Sequence, residues 1–88
     1  MTIKVYKPSD AEISAAENWG VWEKEESEFP WEYDVQETCL ILQGTAQVTS
    51  ESGEIVNFSA GDMVIFPVGL KCVWKITKAI KKKYKFGV

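Results

Sequence analysis

Apolar and polar positions alternate along most of the chain, and the alternation predicts strands. From Val35 onward, Val35, Glu37, Cys39 and Ile41 share one face, while Leu40, Leu42, Ala46 and Val48 share the other, with Gly44 marking a bend or bulge. Both faces are largely apolar, which predicts a strand covered on both sides. "TSESGEI" supplies a turn around Gly53; Val56 and Phe58 then sit in a strand, "SAGD" turns the chain, Met63 to Phe66 forms another strand, and "PVG" ends it. In "LKCVWKI", Leu70, Cys72, Trp74 and Ile76 alternate with Lys71, Val73, Lys75 and Thr77, so the first row is expected to face the interior. Upstream, "WGVWEKE" and "FPWEYDVQ" read as strands joined by an acidic turn, and Pro30 places its neighbourhood at a strand start, a bulge or an edge. Ser9 or Asp10 is positioned to cap a helix of one or two turns around Ile13 and Ala16.

Turn signals about every 8–12 residues, with no helix long enough for a crossover, predict an all-β fold: a small antiparallel β-barrel, jelly roll or sandwich. The expected organisation is an N-terminal arm over residues 1–18, with a short helix or strand, and one barrel domain over residues 19–88. At 88 residues, such a chain folds to a surface of roughly 5,200 Å² and hides about 64% of what it exposes when unfolded. The resulting stability margin is thin, so association into a homodimer is expected.

Composition narrows the function classes. No window approaches the length of a membrane span and the N-terminus has no leader-like apolar run, which predicts a cytoplasmic protein without membrane contact. Two cysteines are too few for a disulfide framework. Net charge is −3, but residues 71–88 hold seven lysines and no acid. A basic tail for nucleic acid is one reading; however, "KKKYKFGV" interleaves aromatics with lysines like an edge strand, and the chain has no arginine to read phosphates or bases bidentately. No nucleic-acid partner is expected.

The pair "ETCLILQG" and "GDMVIFPVGLKCVWKI" resembles the two motifs of the cupin family. The first is similar to the strand that carries the acidic member of the first motif, and the second to the Gly-Asp and Pro-x-Gly part of the second, with Pro67 five positions after Asp62. The wider pattern, from "GVWEKEESEFPWEY" to "KKKYKF", resembles short single-domain cupins of the ureidoglycine aminohydrolase-like group, with an RmlC-like jelly roll. The resemblance implies a metal site, but Trp31 and Tyr33 stand where its clustered histidines would be, and Cys72 where the later histidine would be. Only Glu37 keeps the acidic place, and the chain has no histidine at all. One carboxylate and one thiol fall short of the three protein ligands usual for zinc or iron, so neither metal nor cofactor is expected.

With the interior so assigned, Trp31, Tyr33, Cys72 and Trp74 surround Glu37, and these five are the expected ligand-binding residues. An aromatic cavity with one carboxylate suits a small nitrogenous or cationic metabolite. Glu37 and Cys72 are the candidate catalytic residues: a carboxylate among Val, Cys and Ile needs a partner, either Tyr33 or a lysine, and is placed to serve as acid or base. Cys72 is a candidate nucleophile with no histidine to activate it, and Cys39 is either core or half of a redox pair with Cys72. The alternatives are a hydrolase or isomerase of the resembled group, or a structural domain whose rings fill the core. The first reading requires an open pocket of at least a few hundred Å³ reaching Glu37 and Tyr33.

Overall fold

A computed structural model describes residues 2–87; Met1 and Val88, the outer limits of the two expected segments, lie outside the described residues. The elements are β1 (Lys4–Tyr6), α1 (Asp10–Ala15) running into a 3-10 turn (Ala16–Asn18), β2 (Gly20–Lys24), β3 (Ser27–Glu32), β4 (Glu37–Ser50), β5 (Ile55–Ser59), β6 (Met63–Phe66) and β7 (Lys71–Phe86). Ser9 caps α1 through a complete capping box: its hydroxyl accepts from the Glu12 N–H, and the Glu12 carboxylate accepts from the Ser9 N–H. Total accessible surface is 5113 Å², close to the value expected for a chain of this mass.

Two long strands organise the fold. β4 has 14 residues, β7 has 16, and they pair antiparallel over nearly their whole lengths. Their first and second halves serve different parts of the sheet. β6 and then β1 lie beyond the start of β4, and β2 lies beyond the end of β7. β5 pairs with the end of β4, and β3 with the start of β7.

The sheet is therefore all-β and cupin-like but open, which corrects the expectation of a closed barrel. The order β1-β6-β4-β7-β2 ends at β1 and β2, and the side strands β3 and β5 each have a single partner. Closure needs a ladder between such edges. β1 has only three residues and gives its hydrogen bonds to β6, so among the described residues no ladder joins the edges.

A second correction concerns phase. Ala46 and Val48 share the main buried cluster with Cys39 and Ile41, whereas Leu40 packs with Ala16 and Met63. Register shifts between Ile41 and Ala46 insert irregular positions against β7, so the alternation resumes with the opposite parity. Gly44 makes the bend possible: its φ is +92°, and a Cβ there would run into the carbonyl oxygen of Ala79.

The lysine-rich segment is not an edge either. It continues the strand of Cys72 and Trp74, flanked by β4 on one side and by β3 and β2 on the other. Its neighbours supply the acids, with Glu23 opposite Lys81, Glu28 opposite Lys75 and Glu32 opposite Lys71. The uneven charge along the sequence thus becomes cross-strand complementarity in the fold.

Candidate functional site

Glu37 opens β4 between Phe66 on one side and Phe86 on the other, and is only 4% exposed. A carboxylate so placed must be paired. Lys82 meets it, Nζ to Oε2 at 2.6 Å, with both side chains almost fully buried. The alternation of β7 explains the lysine's direction, because Ile80, Lys82 and Tyr84 take the inward row while Lys81, Lys83 and Lys85 take the other.

Aromatic rings enclose the ammonium. Trp22, directly opposite Lys82 in the β2–β7 register, has its ring centroid 4.9 Å from Nζ; that of Trp74 is 4.8 Å away and that of Phe66 6.0 Å. Each ring face attracts the cation, and together they replace part of its lost hydration. Phe29, across from Trp74 on β3, lies parallel to it.

Tyr33 is buried and stacks on Phe66, centroids 4.7 Å apart. Two backbone bonds to the 69–70 turn hold it there, Tyr33 N to Leu70 O and Gly69 N to Tyr33 O. Its hydroxyl accepts from the indole N–H of Trp74 at 3.1 Å, so of the two partners expected for Glu37 the lysine is the one in contact. Burial, reinforced by the Glu37 charge, raises the phenol above its ordinary range and keeps it protonated.

A cavity of about 160 Å³ reaches this group. Glu37 and Lys82 line it together with Tyr33, Trp22 and Trp74, and its rim includes Trp31 and Phe86, each about half exposed. It is smaller than the few hundred Å³ expected, and Trp31 stands at the rim rather than inside. A larger depression of about 370 Å³ between β4 and β5 holds none of the expected site residues. Four of its polar side chains are already engaged with one another, Gln47 with Asn57 and Thr45 with Thr77.

Trp31, Tyr33, Glu37 and Trp74 thus come together around one cavity, and Cys72 does not line it. The Cys72 thiol points to the carbonyl of Trp31, 3.6 Å away. Cys72 pairs with Ser50, at the opposite end of β4 from Cys39, and both cysteines are free. Burial pushes Cys72 up to about 11 and Cys39 to about 12, with the Lys82 charge offsetting only part of the effect.

Both thiols are therefore expected to resist iodoacetamide at pH 8 in the folded protein and to react readily once it is unfolded in urea. Folding stability carries the same signature. The unfolded chain releases these protons first, near pH 9.0, so the contribution is intact below that pH and is lost as pH rises through 11 and 12. Urea titrations across this range should show falling stability, with a shallower fall in Cys39→Ala.

Sequence reasoning missed Lys82, Trp22, Phe29 and Phe86. The parity of "IKKKYKF" was the available signal, since an inward row through Ile80 and Tyr84 must include Lys82.

The residues present do not fit the metal that cupin motifs imply. The carboxylate already holds an ammonium 2.6 Å away, the tyrosine is held as a phenol, and the thiol lies off the cavity. Among the described residues, no group of three or more His, Cys, Asp or Glu side chains is placed to hold a metal ion.

The profile of the EutQ-like cupin domain matches residues 12–84. The chain belongs to this family. A solved DUF861 family protein from Thermotoga maritima is similar to this EutQ-like cupin at 42% identity and a TM-score of 0.93, over 97% of this chain and 99% of the other. Two further structures share the fold at 20% identity and TM-scores of 0.71. One is a putative ethanolamine utilization protein Q from Salmonella typhimurium, matched over 99% of this chain and 70% of its own. The other is EutQ from Clostridium difficile, with 97% and 67%. None of the curated proteins is significantly similar to this EutQ-like cupin.

Among the described residues, no helix is long and apolar enough to cross a membrane.

Proposed function

We propose that this EutQ-like cupin domain binds a small nitrogenous metabolite in the aromatic cavity, with Glu37 and Lys82 as its polar anchors. One observation carries the reading: the cavity is not filled by its rings, and it ends on a buried ion pair. Two charges of opposite sign offer an acceptor and a donor side by side, while Trp22, Trp74 and Phe29 offer apolar faces.

The cation position over Trp22 and Trp74 is taken by Lys82 itself. That favours a neutral amide over a cation, its carbonyl accepting from Nζ and its N–H donating to the carboxylate. A volume of about 160 Å³ lies below the range of drug-sized sites, so the ligand is no larger than a substituted ring. Trp31 and Phe86 at the rim favour a flat one.

Benzamide is a suitable probe. Added at millimolar concentration, it is expected to quench tryptophan fluorescence saturably and to shift the indole N–H resonances of Trp22 and Trp74. Glu37→Gln should weaken it at least about tenfold, the worth of a hydrogen bond to a charged group. Unmoved indole resonances at 10 mM benzamide would sink the proposal.

A further inference from the structure

The buried Glu37–Lys82 pair gains the fold little over an apolar pair unless something uses it. A buried ion pair is often replaceable by apolar side chains of similar volume without loss of stability, and a methionine would fill the same aromatic box. What a methionine lacks is a nucleophilic nitrogen facing a cavity. Lys82 has one, and its proton acceptor is already in hydrogen-bond contact.

We propose that Lys82 captures a small aldehyde or ketone as an imine, with Glu37 carrying the proton; this rests on the cavity being a ligand site. A lysine amine becomes nucleophilic when a neighbouring base takes its proton and water is kept away. Here Oε2 takes a proton from the ammonium, and the freed nitrogen pair attacks the carbonyl carbon. The carbon–nitrogen bond forms, the carbonyl π pair moves to oxygen, and Glu37 returns the proton to that oxygen, giving the carbinolamine. A second transfer through Glu37 moves a proton from nitrogen to the hydroxyl, which leaves as water while the C=N bond forms. The nitrogen keeps its third proton, so loss of water gives the iminium directly and the sum is ammonium plus carbonyl compound yielding iminium plus water, with Glu37 unchanged.

The site suits the product as well as the reaction. The iminium keeps the single positive charge of the ammonium in the same place, so the carboxylate at 2.6 Å and the rings of Trp22 and Trp74 stabilise both. The apolar walls hold back the water that would hydrolyse it. Phe29 and the rim residues Trp31 and Phe86 select a flat, apolar substituent on the carbonyl carbon.

The test is reductive trapping of the full chain with benzaldehyde and sodium cyanoborohydride at pH 7, read by peptide mass mapping. Lys82, among the least exposed lysines, is expected to be alkylated at least about tenfold faster than any other, to lose that preference in urea, and to be protected by benzamide. Glu37→Gln should slow trapping at Lys82 by about tenfold or more while leaving surface lysines unchanged. Labelling that merely follows exposure, with Lys82 the slowest, overturns the proposal. If benzamide still shifts the Trp22 and Trp74 resonances in that case, the binding site stands and only the imine chemistry falls; if neither occurs, both readings fall together. Protection by benzamide is measured on the unaltered protein, so a variant that fails to fold leaves the test intact.

Discussion

Lys82→Met is expected to lower the unfolding free energy by about 3–5 kcal/mol, the cost of leaving one buried charge without its partner. Glu37 then keeps a carboxylate between Phe66 and Phe86 with the ammonium gone and little solvent access. For a domain of this size, Tm should fall by roughly 12 °C or more. The side chains are only 7% and 5% exposed, so solvent screening does not reduce the effect to that of a surface pair. Converting both residues, as Glu37→Leu with Lys82→Met, should recover most or all of the loss. Urea denaturation of the wild type, both single variants and the double variant gives the coupling energy directly. A single-variant cost under about 1 kcal/mol would mean that the pair is solvated in practice and that the aromatic box does not enclose it.

Such a cycle separates stability from use. If the apolar double variant is as stable as the wild type yet no longer binds benzamide or traps benzaldehyde, the ion pair is retained for what enters the cavity. If it is equally stable and binds unchanged, the pair serves neither purpose.

The strands were legible because their burial has a period of two. Cys72, Trp74 and Ile76 face the interior as their alternation with Lys71, Val73 and Lys75 predicts, and the capped turn at Ser9 follows from its own residues. Gly44 was legible as a bend, but the parity change was not, because a bulge displaces the chain by positions that only the partner strand defines. Closure failed for a related reason: strand content does not say which edges meet, and here β1 and β2 do not. Within the site, Glu37 stood out as a buried charge. Its partner was hidden among neighbouring lysines of identical chemistry, distinguishable only by counting from Ile80 to Tyr84. Trp31 was placed inside, with Tyr33, by the resemblance to the clustered histidines of the cupin motif, yet β3 ends at Glu32, so Tyr33 turns inward under the 69–70 turn while Trp31 remains on the rim.

Trp74→Ala is expected to cost about 3–5 kcal/mol, the range for removing a large buried aromatic ring. The residue is 2% exposed, and its ring meets those of Trp22, Phe29, Phe58 and Phe66. It also forms one wall of the cavity and one of the faces over the Lys82 ammonium, so its loss both enlarges the void and weakens the enclosure of the charge. Trp74→Phe separates the contributions. It keeps an aromatic face but removes the N–H donated to Tyr33, which should cost about 1–3 kcal/mol because the hydroxyl stays buried after losing that donor. Adding Tyr33→Phe removes the hydroxyl as well, and part of that loss should return. Urea midpoints for the four proteins measure this, while benzamide titrations report on the cavity. Trp74→Phe should retain binding, whereas Trp74→Ala, at temperatures where it remains folded, should bind weakly, because a flat ligand loses the wall against which it stacks. Equal stability of wild type and Trp74→Phe would mean that the indole–phenol hydrogen bond adds nothing beyond ring packing. Undiminished benzamide affinity in Trp74→Ala would place the ligand away from the rings that surround Lys82.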